Sequence, residues 1–264
     1  MRVELFEIGG FTLRSYGVIV ALAVLAALGV ALYLARETSF RKHIPNMILY
    51  VLGGALLGAR IWHVFFFQWD YYSDHLSDIV AIWKGGISIQ GALIGGFITA
   101  AVYARVHQIS FWELADTLAP AIILGQAIGR IACFLNGDAF GSPTNAGFGI
   151  VYPVGTLAYD QYGAVPLWPA EVWEGQWDFM VFAILISMKN RKLPRGILFL
   201  SYNVLYAAGR FSLEYLRGDS PRYALNWTAG QWTSVSVISI ALVLMVFFIR
   251  KHRSDVQIIS STEI

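Results

Sequence analysis

Apolar runs of about twenty residues recur along the whole chain, at about 12–35, 44–67, 86–106, 112–136, 168–188, 195–217 and 229–250. Such a run, at about 1.5 Å of rise per helical residue, matches the roughly 30 Å hydrocarbon thickness of a bilayer. Inside hydrocarbon only helices and closed barrels satisfy their own backbone groups, and continuous apolar runs select helices. The expected fold is an all-α polytopic membrane protein with about seven transmembrane helices. Charged residues make up 14% of the chain, about half the share of a soluble domain, which excludes a soluble globular enzyme. Disorder requires low hydrophobicity, yet 57% of the residues are hydrophobic. The fifth run is the least apolar, because Glu171, Glu174 and Asp178 occupy its first half.

Lys and Arg in the connections set the orientation. Eleven fall on one side: Arg36, Arg41, Lys42, Arg105, Lys189, Arg191, Lys192, Arg195, Arg250, Lys251 and Arg253. Five, namely Arg2, Arg14, Lys84, Arg217 and Arg222, fall on the other. The N-terminus is therefore expected outside and the C-terminus in the cytoplasm. Glu4 and Glu7 stand where a cleaved signal peptide carries its basic region, so the first run reads as a permanent span. The chain reads as one integral-membrane domain, 1–264, with a short cytoplasmic tail at 251–264. Segment 137–167 falls outside. It is rich in Gly, Pro and Tyr and has no Lys or Arg, and its length suits a lid or a site-lining loop better than a tether.

Three basic residues remain, Arg60, Arg130 and Arg210, all inside expected spans. Each would cost about 2.5–3.5 kcal/mol at a helix centre, a cost that points to a shared polar cavity. Helical rise puts all three about 9–10 Å below the outer ends of their helices. Tyr16, Gln90, Glu171 and Glu174 enter from outer ends to similar or shallower depths. Guanidiniums in a low-dielectric setting suit a multi-oxygen anion, above all a phosphate, and at that depth the phosphate is a phospholipid headgroup. Glu214 follows Arg210 by four residues on the same helical face and can orient or neutralise it. The alternative is that these arginines pair with carboxylates only to pack helices.

Other polar positions carry two readings each. Gly91/Gly95 and Gly125/Gly129 are small-residue spacings that favour close helix packing over ligand contact. In GRIACFLNGDAFG (129–141), Asn136, Gly137, Asp138 and Gly141 mark a helix exit. They suit a terminating turn and equally the binding of a glycerol hydroxyl. Cys133 reads as packing, His63 as a structural histidine with proton acceptance as the alternative, and Glu113 and Asp116 as solvated or helix-starting charges. Trp62, Trp168, Trp173, Trp177 and Trp227 suit interfacial anchors. A single cysteine excludes an intramolecular disulfide and a Cys-based metal site. With no His-x-x-x-His or acidic cluster, no metal or other cofactor is expected. The basic residues cluster at helix ends, so no nucleic-acid partner is expected.

The run GRIACFLNGDAFG resembles the signature of the prolipoprotein diacylglyceryl transferase family. SYG (15–17), GAR (58–60), GGISIQGALIGG (85–96), WPAEVWEG (168–175) and GRFSLEYLR (209–217) resemble further family motifs in the expected order, from about residue 10 to 250. The resemblance implies a seven-span catalytic domain of the bacterial plasma membrane with its site toward the outer leaflet. It implies transfer of the diacylglyceryl group of phosphatidylglycerol to the lipobox cysteine thiol of a prolipoprotein signal peptide, releasing glycerol phosphate. It carries phosphate binding and catalysis onto Arg130 and Arg210. Supporting roles fall on Tyr16, Asn136, Asp138, Gly141, Glu174 and Glu214, with Gln90 and Arg60 expected to contact substrate. The chain departs from the pattern where Gln90 stands for a frequent His, where Cys133 stands for a common Asn, and where WPAEVWE replaces a His-Pro start.

The implied chemistry agrees with an arginine-lined cavity. Sulfur attacks a glyceryl carbon and a phosphate monoester leaves. Being a weak base, that leaving group needs cations rather than a proton. An alternative class is a transporter or flippase for an anionic phospholipid or small phosphate. It would favour polar residues along the full depth of a path, and the cytoplasmic half here is almost wholly apolar. A non-catalytic scaffold leaves the intramembrane arginines unexplained.

Overall fold

The structure is a computed structural model that describes residues 4–8, 11–191 and 193–262. Arg2 and Lys192, both used in the charge balance, lie outside the described residues, as do the last two residues of the expected tail. A short antiparallel hairpin, β1 (Glu4–Ile8) and β2 (Phe11–Arg14), leads directly into α1 (Ser15–Leu34). Among the described residues the further α-helices are α2 (Ile44–Trp62), α3 (Trp69–Asp74), α4 (Ile89–Val106), α5 (Phe111–Asn136), α6 (Leu157–Tyr162), α7 (Ala170–Lys189), α8 (Ile197–Leu213) and α9 (Ala229–Thr262).

Among the described residues, five helical stretches are long and apolar enough to cross a membrane: Ser15–Leu34, Arg41–Phe67, Ile89–Val106, Phe111–Asn136 and Ala229–Ser254. The other two expected spans form α7 and α8. Glu171, Glu174 and Asp178 lower the apolarity of α7, and α8 has only 17 residues. Large apolar side chains such as Leu25, Leu57, Leu93 and Val243 stand outward on the long helices, more than 60% exposed. That is the pattern of a lipid-facing surface rather than a water-facing one.

The chain forms two compact units, Leu32–Leu114 and the remainder, Met1–Ala31 with Ala115–Ile264. In the first, α2 and α4 pack through a glycine stripe. A Cβ on Gly58 would collide with the Gly91 carbonyl, one on Gly91 with the Gly58 carbonyl, and one on Gly95 with the Gly54 carbonyl. The backbones therefore touch directly, and the packing reading of Gly91 and Gly95 holds.

The same unit disposes of Arg60, 6% exposed. Its Nε donates to Ile79 O at 2.8 Å, Nη1 to Gly85 O at 2.5 Å and Gly86 O at 2.6 Å, and Nη2 to Asp78 O at 2.6 Å. The guanidinium also lies over the Tyr72 ring. Sequence reasoning offered a phosphate or a carboxylate as its partner, whereas backbone carbonyls satisfy it. Arg60 thus folds the 78–86 segment onto the end of α2. At the surface of that segment Lys84 donates to Asp78 Oδ1 at 2.7 Å and Tyr71 to Oδ2 at 2.8 Å. These bonds, Lys84 first, hold the Asp78 carboxyl below its ordinary range.

In the second unit, Ala119, Ile123, Val181, Leu185, Leu198 and Tyr202 form the core that joins α5, α7 and α8. Asp116 corrects its sequence reading. Its half-buried carboxylate accepts from Gly196 N at 2.6 Å and Phe199 N at 2.8 Å, in another helix. It thus caps the start of α8 from α5, taking up two amides that no helical turn precedes. Trp177 also joins helices. Its Nε1 donates to Leu205 O at 3.0 Å and its ring lies against Gly209, locking α7 to α8.

Candidate active site

Helix α7 presents Glu171, Glu174 and Asp178 at i, i+3 and i+7, so the three carboxylates stack on one face. All are at most 4% exposed. That face meets Arg130 near the end of α5 and Arg210 near the end of α8. Arg130 Nη2 lies 2.7 Å from Glu174 Oε2, and Arg210 Nη1 lies 2.7 Å from Glu174 Oε1. Arg217 Nη1 approaches the same Oε1 at 3.4 Å while its Nε and Nη2 form a fork on Asp219, at 2.7 and 2.6 Å. One carboxylate therefore gathers three guanidiniums.

Arg210 is held from its other side as well. Its Nη2 lies 2.9 Å from Glu214 Oε2, one helical turn on. Glu214 is in turn fixed by Thr228, which donates to Oε1 at 2.9 Å. Thr228 starts α9 as half of a capping box: its Oγ1 accepts from Gln231 N at 3.2 Å and Gln231 Oε1 accepts from Thr228 N at 3.1 Å. Gly230 lies beneath, where an added Cβ would sit 3.1 Å from the Glu214 carboxyl carbon. A chain of fixed contacts thus runs from the α9 cap to the Arg210 guanidinium.

Arg130, Glu174, Trp177, Asp178, Tyr206, Gly209, Arg210 and Leu213 line a small pocket of about 10 Å³. That is room for about one water, so a headgroup enters only if side chains move. Arg130 and Arg210 keep about a fifth of their side-chain surface, 19% and 21%, so the cluster is open on one side.

The α5 exit lies beside this cluster. Gly137, at φ 71°, turns the chain in the left-handed region that favours glycine. The amides of Gly137 and Asp138 both donate to Cys133 O, at 2.9 and 3.2 Å. Asn136 Nδ2 donates to Asp138 Oδ2 at 3.0 Å. The buried Asp138 Oδ1 has no hydrogen-bond partner among the described residues. Tyr16, in the first turn of α1, is 41% exposed and within electrostatic reach of Cys133, Asp138 and Arg130. Asn136 and Asp138 therefore build the terminating turn, with the Cys133 thiol beside the Asp138 carboxylate.

Segment 137–167 is folded against this end of the unit. Gly141 N donates to Trp168 O at 3.1 Å, Ser142 N to Leu216 O at 2.7 Å and Gly218 N to Phe140 O at 3.1 Å. Gly141 is small because a Cβ there would strike Trp168. The segment has its own core of Phe140, Tyr152, Ala158 and Leu167. The buried Tyr152 hydroxyl donates to Glu171 Oε1. Burial, and then this bond, push the Tyr152 phenol above its ordinary range.

A family model described as "Prolipoprotein diacylglyceryl transferase" matches residues 3–247. The chain belongs to the prolipoprotein diacylglyceryl transferase family. Proteins named "Phosphatidylglycerol--prolipoprotein diacylglyceryl transferase" are similar over most of their length. One from Nostoc sp. is 41% identical over 223 residues, 82% of this chain and 78% of its own. Others, from Acaryochloris marina and Listeria monocytogenes, are each 38% identical, covering 82% and 90% of this chain and 80% and 85% of their own.

Of the residues singled out from the sequence, the structure brings Arg130, Arg210, Glu174 and Glu214 into direct contact, with Tyr16, Asn136, Asp138 and Gly141 at the adjoining turn. Gln90 and Arg60 belong to the other unit, where Gln90 Oε1 accepts from Ser88 Oγ at 2.6 Å. His63 pairs there with Gln68, Nε2 to Oε1 at 3.2 Å. Sequence reasoning missed Arg217, which it placed among the outer-loop charges. Arg217 lies beyond α8, in extended backbone after the Glu214–Leu216 turn, so helical periodicity gave no signal for it. Sequence reasoning also missed Tyr206 and the depth of Asp178 in the same pocket.

Proposed function

We propose that this member of the prolipoprotein diacylglyceryl transferase family transfers the diacylglyceryl group of phosphatidylglycerol to the lipobox cysteine of a prolipoprotein signal peptide. The observation that carries the reading is Glu174: a buried carboxylate held by Arg130, Arg210 and Arg217 occupies the kind of anion site a phosphate requires. Relatives bearing the transferase name are similar over four-fifths or more of this chain, which supports the same assignment.

In the reaction the peptide thiolate forms a C–S bond to a glyceryl carbon while the C–O bond to phosphate breaks. The electron pair leaves on the phosphate oxygen of glycerol phosphate, and the thiol proton passes to solvent or a base. Charge builds on the departing phosphate oxygens. Arg130 and Arg210, released from Glu174, supply bidentate donors there in a preorganised setting. Glu214, itself held by Thr228, keeps Arg210 aimed. Asp138 Oδ1 is a free acceptor for a glycerol hydroxyl, with Tyr16, Asn136 and Gly141 shaping that end; Gln90 positions the headgroup or the incoming thiol. Residues 137–167 cover the site from outside.

The whole chain acts as one catalytic domain of the bacterial plasma membrane. It has seven crossings, an external N-terminus, and the arginine cluster toward the outer leaflet, where a secreted cysteine clears the bilayer. The test incubates purified protein with phosphatidylglycerol and a lipobox peptide. A lipidated thiol together with glycerol phosphate is expected. Absence of both, with lipid movement between leaflets, would favour transport instead.

A further inference from the structure

Five carboxylates, Glu171, Glu174, Asp178, Glu214 and Asp219, share the α5, α7 and α8 cluster with three guanidiniums. Glu174, Glu214 and Asp219 pair with Arg130, Arg210 and Arg217, which uses every positive charge. Of the two carboxylates left without a guanidinium, Glu171 accepts from the Tyr152 hydroxyl, and Asp178 is the one inside the arginine pocket. It is 2% exposed, lines the same pocket, and its buried Oδ2 has no hydrogen-bond partner among the described residues. The charged and titratable groups facing it are Arg130 from α5, Glu174 from its own helix, and Tyr202, Tyr206 and Arg210 from α8. Both arginines in that set already hold Glu174.

A buried charge without a counter-charge is costly, and a low-dielectric setting enlarges every like-charge repulsion. An incoming phosphodiester adds one more negative charge within reach of Glu174 and Asp178. It also takes donors away from Glu174. The cluster admits that anion at least cost when one carboxylate carries a proton. Asp178 is the carboxylate of that pocket with no guanidinium to lose, whereas Glu171 lies outside the pocket lining and is held by Tyr152. We infer that Asp178 is a positioning residue that holds a proton while an anionic headgroup occupies Arg130 and Arg210, so that headgroup binding is coupled to proton uptake. No bond to the substrate is made or broken by Asp178. The proton comes from solvent on binding and returns to it on product release. This inference rests on the phosphate-binding reading of the two arginines.

The test uses full-length protein in neutral detergent, without peptide, and phosphatidylglycerol as the probe. Titrating the lipid into weakly buffered protein between about pH 6 and 9 should draw up to one proton per headgroup bound, and the lipid Kd should rise up to tenfold per pH unit toward the alkaline end. Asp178→Asn, which copies the protonated carboxyl, should bind the lipid with a Kd independent of pH over that range and without proton uptake. Asp178→Glu should restore both. Binding by the parent protein with no proton uptake overturns the inference, whether or not the variants fold, and so does an Asn variant whose Kd follows pH as the parent's does. Failure of the underlying reading looks different: an Arg210→Ala variant would bind the lipid as tightly as the parent.

Discussion

Glu174 Oε1 lies 2.7 Å from Arg210 Nη1 while its Oε2 lies 2.7 Å from Arg130 Nη2. One carboxylate on α7 thereby ties the ends of α5 and α8 together and holds the two cations proposed to receive an anionic headgroup. Glu174 is a strut and, in the proposed reaction, a placeholder for the phosphate. Replacing it with Gln leaves three guanidiniums around a neutral amide. Removing one partner of a buried pair typically costs about 3–5 kcal/mol, less here because Arg130 and Arg210 retain a fifth of their exposure. Glu174→Gln should lower the thermal unfolding temperature in detergent, and added glycerol phosphate should restore part of the loss. An unchanged unfolding temperature would remove Glu174 from the structural account.

Asp116 caps α8 from a distance, and Arg210 sits on that helix. Asp116→Ala leaves the Gly196 and Phe199 amides without their acceptor and should cost about 1–2 kcal/mol of stability, whereas Asn should cost less because its amide oxygen can still accept. The lipid KM at a temperature where the variant stays folded should match the parent. A raised KM would mean that the cap also tunes the site.

The α2 and α4 glycine stripe makes a sharper structural prediction. Gly58→Val forces a branched side chain into the Gly91 carbonyl, and no flexible atom can move aside. Protein yield and unfolding temperature should both fall steeply. Gly129→Ala, with nothing near its added methyl, is the control and should change neither.

The pH dependence is expected to be that of the incoming thiol. Gln90 cannot titrate, and His63 is engaged with Gln68. At saturating lipid, thioether formation should climb with pH toward the free thiol pKa of about 8.5, without a histidine limb near about 6.5. His63→Gln should leave that profile in place. A limb near neutrality that disappears in the variant would identify His63 as the base.

Much of this site is legible in the chain because a charge inside an apolar run announces itself. Arg130 and Arg210 stand out for that reason, and Glu214 follows from helical spacing. Long-range pairing is not legible. Asp116 and Gly196 are eighty residues apart, and no periodicity says that one caps the other. Arg60 breaks the same logic differently. Its partners are backbone carbonyls of a short irregular segment, and carbonyls carry no signature in a sequence. Arg217 was hidden by its place at a helix end, where a charge ordinarily needs no explanation.

The central claim is that Arg130 and Arg210 stabilise the departing phosphate by bidentate contact. The measurement is single-turnover thioether formation from phosphatidylglycerol and a lipobox peptide by Arg130→Lys and Arg210→Lys, each at parental membrane abundance. Lysine keeps the charge and loses the fork, and loss of a preorganised donor typically costs about 10²–10³ in rate. A drop of that order in both variants is the expected result, and a near-parental rate in either would contradict the account.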